Sequence, residues 1–156
     1  MMAFDRSNQA DLTALKNEVE SDPLSLGYNY TSGDVANIVS LINAKNYTVS
    51  KPKISSALIR ATCTYDAYNS LSIDEQEWIR WITGEYGFEE ENVPVTQDLR
   101  DRLTDGTNSI WDAGNRSEMN AAMLALIDVP GSRAEVLFGY GTYIGTQDWT
   151  KARDNG

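Results

Sequence analysis

Histidine is absent from the 156 residues, and cysteine occurs once, at Cys63. Without histidine, a single chain cannot build a Ser-His-Asp triad, a Cys-His pair or a His-ligated zinc or iron site. One cysteine cannot close an internal disulfide or form a thiolate cluster. Phenylalanine is scarce, with three residues, and proline occurs four times. No apolar run approaches the roughly 18 residues that cross a bilayer. The N-terminus, Met-Met-Ala-Phe-Asp, has no charged segment followed by an apolar one. Basic residues are outnumbered 13 to 23 by acidic ones, for a net charge of −10. No three basic residues are consecutive, so a phosphate backbone would be repelled rather than bound. These absences predict an acidic globular protein without a catalytic centre, nucleic-acid partner, membrane span, cofactor, metal or small-molecule substrate.

The material for a core is modest. Leu, Ile, Val and Phe make up 33 of the 156 residues, and four Trp and eight Tyr add large buriable surfaces. The length fits one domain. Leu12, Leu15 and Val19 keep helical spacing until Pro23 stops the helix near Ser21. Thr31 and Asp34 form a capping-box pattern ahead of Val35, Ile38, Val39 and Ile42. A short β-prone stretch occupies 47–50. A third helix is expected over 55–69, with Cys63 inside it as a small buried residue. Ser72 and Glu75 form a second box, before a helix that Gly84 closes. Thr96 caps a helix carrying Leu99 and Leu103, ended by Gly106; Ile110 and Trp111 mark a short element before Gly114. Ser117 caps a helix with Met123 and Ile127. Pro130-Gly131 reads as a turn, and Ser132 with Glu135 as a third box. Residues 142–144 look extended, and Thr146 caps the last helix. The expectation is a mostly α fold: a compact single-domain bundle of seven or eight helices over 1–156, with short extended stretches near 47–50 and 142–144. Residues 1–8 read as a flexible arm, and 85–95 are the candidate internal break.

Several patterns carry a chemical reading beside a plainer one. Asp98 with Asp101, and Asp74 with Glu77, share helix faces as a glycosidase-like pair would, but acidic residues also suit a first helical turn electrostatically. Glu89-Glu90-Glu91 lacks the alternating ligand spacing of a calcium loop, as does Asp105-Gly106-Thr107-Asn108. It reads better as an exposed acidic loop able to meet a basic partner. Gly139, Gly141 and Gly145 fall one residue off the dinucleotide fingerprint and lack its strand–turn–helix setting. The last 25 residues also suggest helix–turn–helix, with only Gln147, Lys151 and Arg153 to read DNA. The sequons at Asn29, Asn46 and Asn115 fit caps and turns. Trp78 and Trp81, like Tyr65 and Tyr68, stand three apart and suit a core. Trp149, beside Tyr140 and Tyr143, suits a protein contact, where Trp and Tyr are enriched.

Two segments go further. Leu15 to Tyr28 contains L-x-x-E-V-x-x-D-P-L-x-x-G-Y and is followed by the Asp34–Asn43 helix. Ser132 to Thr142 contains S-R-A-E-x-L-x-G-x-G-T, then Asp148 and Ala152-Arg153. In order and spacing they resemble a group of small tailed-bacteriophage proteins. The two segments cover about a third of the chain, and no active site comes with them. The resemblance implies a mostly helical, non-enzymatic structural protein of the virion, made in the host cytoplasm. It implies a tail or tail-tip accessory subunit, bound in multiple copies to other phage virion proteins. A capsid decoration or neck protein, and a phage regulatory DNA-binding protein using the C-terminal helix pair, are the alternatives; a cell-wall hydrolase using Asp98 and Asp101 is a further one. The residues expected at partner contacts are Tyr28, Tyr140, Tyr143, Trp149, Glu89, Glu90 and Glu91.

Overall fold

A computed structural model describes residues 3–63, 65–69, 71–85, 93–104 and 117–156. The chain is mostly helical, as expected, and among the described residues the sheets are short and two-stranded. Its contacts divide it into two compact units, Met1–Val49 with Pro130–Gly156 and Ser50–Val129. Each has its own apolar cluster. The expected Glu89–Glu91 loop, and the features at 105–116, lie outside the described residues.

In the first unit, α1 (Gln9–Ser21) is capped by Asn8, whose side chain accepts from the Ala10 amide. It ends at Asp22, which adopts a left-handed φ of 41° ahead of Pro23. The Asp22 carboxylate then accepts from the amides of Leu26 (2.7 Å) and Gly27 (2.8 Å) and sets the turn. A 3₁₀ turn, Tyr30–Ser32, precedes α2 (Val35–Asn43). Here the expected Thr31–Asp34 box is corrected. Thr31 sits inside the 3₁₀ turn, and Asp34 is itself the cap, accepting from the Asn37 amide. The last helices are α8 (Arg133–Phe138) and α9 (Thr146–Asn155). The start of α9 also differs from expectation. Thr146 is its first helical residue, and the Asp148 carboxylate reaches back to accept from the Gly145 amide at 2.8 Å.

Leu12, Leu15 and Val19 of α1 meet Ile38 and Ile42 of α2, Phe138 of α8, and Trp149 and Ala152 of α9 in one cluster. Each aliphatic side chain buried so completely contributes about 1.5–3 kcal/mol. Residues 3–8, read as part of a flexible arm, carry two anchors. The Phe4 ring meets Phe138 edge-on at 5.1 Å, and Arg6 pairs with Asp148 at 3.0 Å.

Strand β1 (Tyr47–Ser50) forms where β-prone residues predicted it. It pairs with β4 (Asp128–Gly131), although Pro130-Gly131 was expected to turn. Within the first unit, a Cβ on Gly131 would lie 2.4 Å from Val49 Cγ2. Glycine is there for close approach and not for a turn.

In the second unit, β2 (Lys53–Ile54) pairs antiparallel with β3 (Val93–Pro94). The single helix expected over 55–69 is two, α3 (Ser56–Thr62) and α4 (Tyr65–Asn69). The Thr62 hydroxyl donates back to the Leu58 carbonyl at 2.8 Å, and Cys63 turns extended (φ −79°, ψ 97°). Cys63 is therefore a half-buried cap and not a mid-helix residue. The Ser72–Glu75 box forms as expected at the start of α5 (Ile73–Glu85), with Glu75 accepting from the Ser72 amide at 2.6 Å. Gly84 lies inside α5 and does not close it. Thr96 caps α6 (Gln97–Thr104), and α7 (Ser117–Ile127) completes the unit. Ile54, Ile59, Ile79, Val93, Leu103 and Met123 are among its core residues. Among the described residues, no helix is long and apolar enough to cross a membrane.

Candidate functional site

The site begins with the third capping box. Ser132 accepts from the Glu135 amide, and the Glu135 carboxylate accepts from the Ser132 amide at 2.8 Å. The same carboxylate also takes the Gly141 amide at 2.9 Å and pairs with the Lys45 ammonium. Burial works to raise the Glu135 carboxyl, but Lys45 and the two amides outweigh it and hold the group at about 2. One side chain thus starts α8 and fixes the loop that follows it.

That loop, 139–145, runs through Gly139 (φ 104°) and Gly141 (φ 85°), both in the region closed to most L-residues. Its far side is clamped by Asn43. The Asn43 amide oxygen accepts from the Ile144 N–H at 3.0 Å, and its Nδ2 donates to the Ile144 carbonyl at 2.8 Å. A side-chain amide here replaces the strand partner that 142–144 lack. Ile144 is fully buried, while Tyr143 stands 69% exposed. Tyr140 is half-buried. The result is a fixed loop presenting one aromatic side chain outward. Rigid presentation lowers the ordering cost of binding, and Tyr is an interface-enriched residue.

Two other expected contact residues are corrected. Tyr28 and Trp149 are 0% and 1% exposed. Trp149 packs edge-on to Tyr30 at 6.1 Å and belongs to the core of the first unit. A position near the end of a chain says nothing about where a helix packs. Tyr28 lies beside the ion pair of Glu18 and Arg133, which meet in a fork of 2.7 and 2.9 Å. Burial, reinforced by the Glu18 carboxylate, pushes the Tyr28 hydroxyl up. Among the described residues that hydroxyl has no hydrogen-bond partner. Tyr28→Phe is therefore expected to raise the stability of the first unit by about 1 kcal/mol, because it deletes a buried unsatisfied group and keeps the ring. Urea unfolding checks this, and a loss of stability would show that the hydroxyl is used.

Asp98 pairs with Arg102 at 3.0 Å one turn away, and Asp101 accepts from Gln97. Among the described residues, no group of three His, Cys, Asp or Glu side chains could hold a metal ion. Gly139 and Gly141 lie in the turn joining two helices. In the C-terminal pair, Gln147 accepts from Arg6 and Arg153 pairs with Asp154. Sequence reasoning missed Asn43 and Lys45, whose partners lie 101 and 90 residues away. No family model, curated protein or solved structure matches the chain.

Proposed function

We propose that the chain is a non-enzymatic structural subunit of a tailed-phage particle. It is a tail or tail-tip accessory protein that docks in multiple copies onto other virion proteins. The carrying observation is Tyr143, held outward on a loop fixed by Glu135 and Asn43. Two further facts support it. Glu135, Gly139 and Gly141, which start and shape this loop, belong to the S-R-A-E-x-L-x-G-x-G-T segment, which ends one residue before Tyr143. The acid of L-x-x-E, Glu18, is the partner of the Arg133 in S-R-A-E. The two segments that carry the phage resemblance are thus joined into one body.

Mass spectrometry of purified particles should find the chain in several copies, and cryo-EM should place it on the tail. Tyr143→Ala should leave the fold unchanged and weaken docking roughly tenfold or more, as truncating a central aromatic anchor does. Particles that lack the wild-type chain would end this reading. Density on the neck or head surface would move the subunit there.

A further inference from the structure

The second unit carries a groove of about 170 Å³ where α5 meets β3 and the start of α6. Ile82, Val93 and Leu99, each at most 4% exposed, form its apolar floor. From α5 it is lined by the half-buried Trp78 and by Trp81, which is 53% exposed. Pro94 and Asp98, both exposed, line it from β3 and α6. The volume falls below the roughly 300–1,000 Å³ of small-molecule sites and suits the end of one inserted side chain. An apolar floor under exposed tryptophan is the composition of a protein contact.

Charge says what kind of side chain that is. Residues 50–129 carry seven basic against fourteen acidic side chains. Asp98 lines the groove itself, and the exposed Asp74 and Glu77 stand one helical turn before Trp78 and Trp81 on α5. The chain also supplies an internal example of what this surface holds. The Arg102 guanidinium lies over the Trp78 ring, 5.9 Å from its centroid, while its Nε donates to Asp98 at 3.0 Å. A ring face and a carboxylate together suit a planar guanidinium, which stacks and donates at once, better than a compact ammonium. Arg102 is 42% exposed and is not among the described lining residues, so it occupies the rim and leaves the cavity open.

We propose that this groove docks a basic segment of a partner protein and receives one arginine side chain from it. The methylene stem of that arginine lies on the apolar floor. Its guanidinium meets the tryptophan rings and the Asp98 carboxylate, and the acidic surface of the unit draws the basic segment in. The proposal does not rest on the phage reading and stands if that reading falls, because Tyr143 and the phage-like segments belong to the first unit.

Titration of the full chain with the blocked tripeptide acetyl-Gly-Arg-Gly-amide at low ionic strength, followed by NMR of the indole N–H signals, tests it. The signals of Trp78 and Trp81 should shift saturably, with a dissociation constant of about a millimolar. That of Trp149, buried in the first unit, should stay where it is. The citrulline peptide keeps the shape and drops the charge, and should bind about fivefold more weakly or worse. Added salt should weaken the arginine peptide and leave the citrulline peptide unchanged. Trp81→Ala, at an exposed position that can be truncated with little disturbance, should cost the arginine peptide about fivefold. Arg102→Gln should instead tighten it about threefold, because the chain's own guanidinium competes for Trp78 and Asp98. A merely structural role for Arg102 gives no such gain. Lack of saturation, equal binding of the citrulline peptide, or no tightening in Arg102→Gln would each overturn the proposal. So would free guanidinium acting as well as the peptide, or indole shifts that follow the chain's own concentration, which would make a second copy the occupant.

Discussion

Arg133→Ala is expected to destabilise the first unit by about 3–5 kcal/mol, the usual result of removing one partner from a buried ion pair. Glu18 is 5% exposed and receives both donors of the Arg133 fork. Without Arg133, the carboxylate is left in a poorly hydrated site without its counter-charge. Tyr28, beside it with a hydroxyl that has no partner among the described residues, can donate one hydrogen bond but supplies no charge. Such a loss is at least a fifth of the roughly 5–15 kcal/mol that holds an ordinary domain folded. The double substitution Glu18→Leu with Arg133→Met should recover most of it, because the desolvation cost disappears together with the attraction. Amide hydrogen exchange in α1 and α9 reads the first unit alone and measures both effects. A single-variant loss below about 1 kcal/mol would show that water reaches the pair. The exposed Asp98–Arg102 pair of the second unit, by contrast, contributes only a few tenths of a kcal/mol.

The legible parts of this fold are those whose partners are close in sequence. Ser72 with Glu75, Ser132 with Glu135, and Thr96 before Leu99 could be named from spacing because a helix cap, reciprocal or one-way, closes within three residues. The Asp22-Pro23 stop was legible for the same reason. What was not legible depends on distant partners or on competition between near-equal local choices. Cys63 turns extended after Thr62, so that one expected helix becomes α3 and α4, and helical spacing alone carries no trace of it. Pro130-Gly131 has the composition of a turn, but Val49, far away in sequence, makes Gly131 a strand residue.

The candidate site shows the same division. Tyr140 and Tyr143 were named beside Trp149 as one aromatic group, yet they differ completely in burial. Three aromatic residues within ten positions look alike until α9 turns one of them into the core. The loop that separates them owes its shape to Glu135, which spacing revealed, and to Asn43, which it did not. The net charge of −10 likewise hid a partition. The first unit carries six basic against nine acidic residues, and the second seven against fourteen. The acidity that argues against phosphate partners belongs mainly to the second unit. The two phage-like segments belong wholly to the first.

Acid should unfasten the Glu135 centre in a defined window. Its carboxyl is held at about 2, against an ordinary 4.5. A group depressed in the folded state stabilises above its unfolded pKa, and that stabilisation is lost as pH falls toward the folded value. The contribution is therefore complete above about pH 4.5 and fades down to about 2; it amounts to up to about 3 kcal/mol, with the exposed Lys45 arm lowering that figure by solvent screening. Glu135→Gln keeps the shape of the side chain and removes the titration. The variant should be less stable than the wild type at pH 6 and equal to it near pH 2. The slope of stability against pH between those limits should be correspondingly shallower. Because Glu135 also holds the Gly141 amide, the exchange of that amide should quicken in the variant at pH 6, ahead of the amides of α1. The docking proposed for Tyr143 should weaken in parallel, since a loosened loop must be ordered again on binding. If wild type and variant lose stability along the same curve, Glu135 is not the acid-sensitive fastening of the loop, and the carboxylates elsewhere in the unit are.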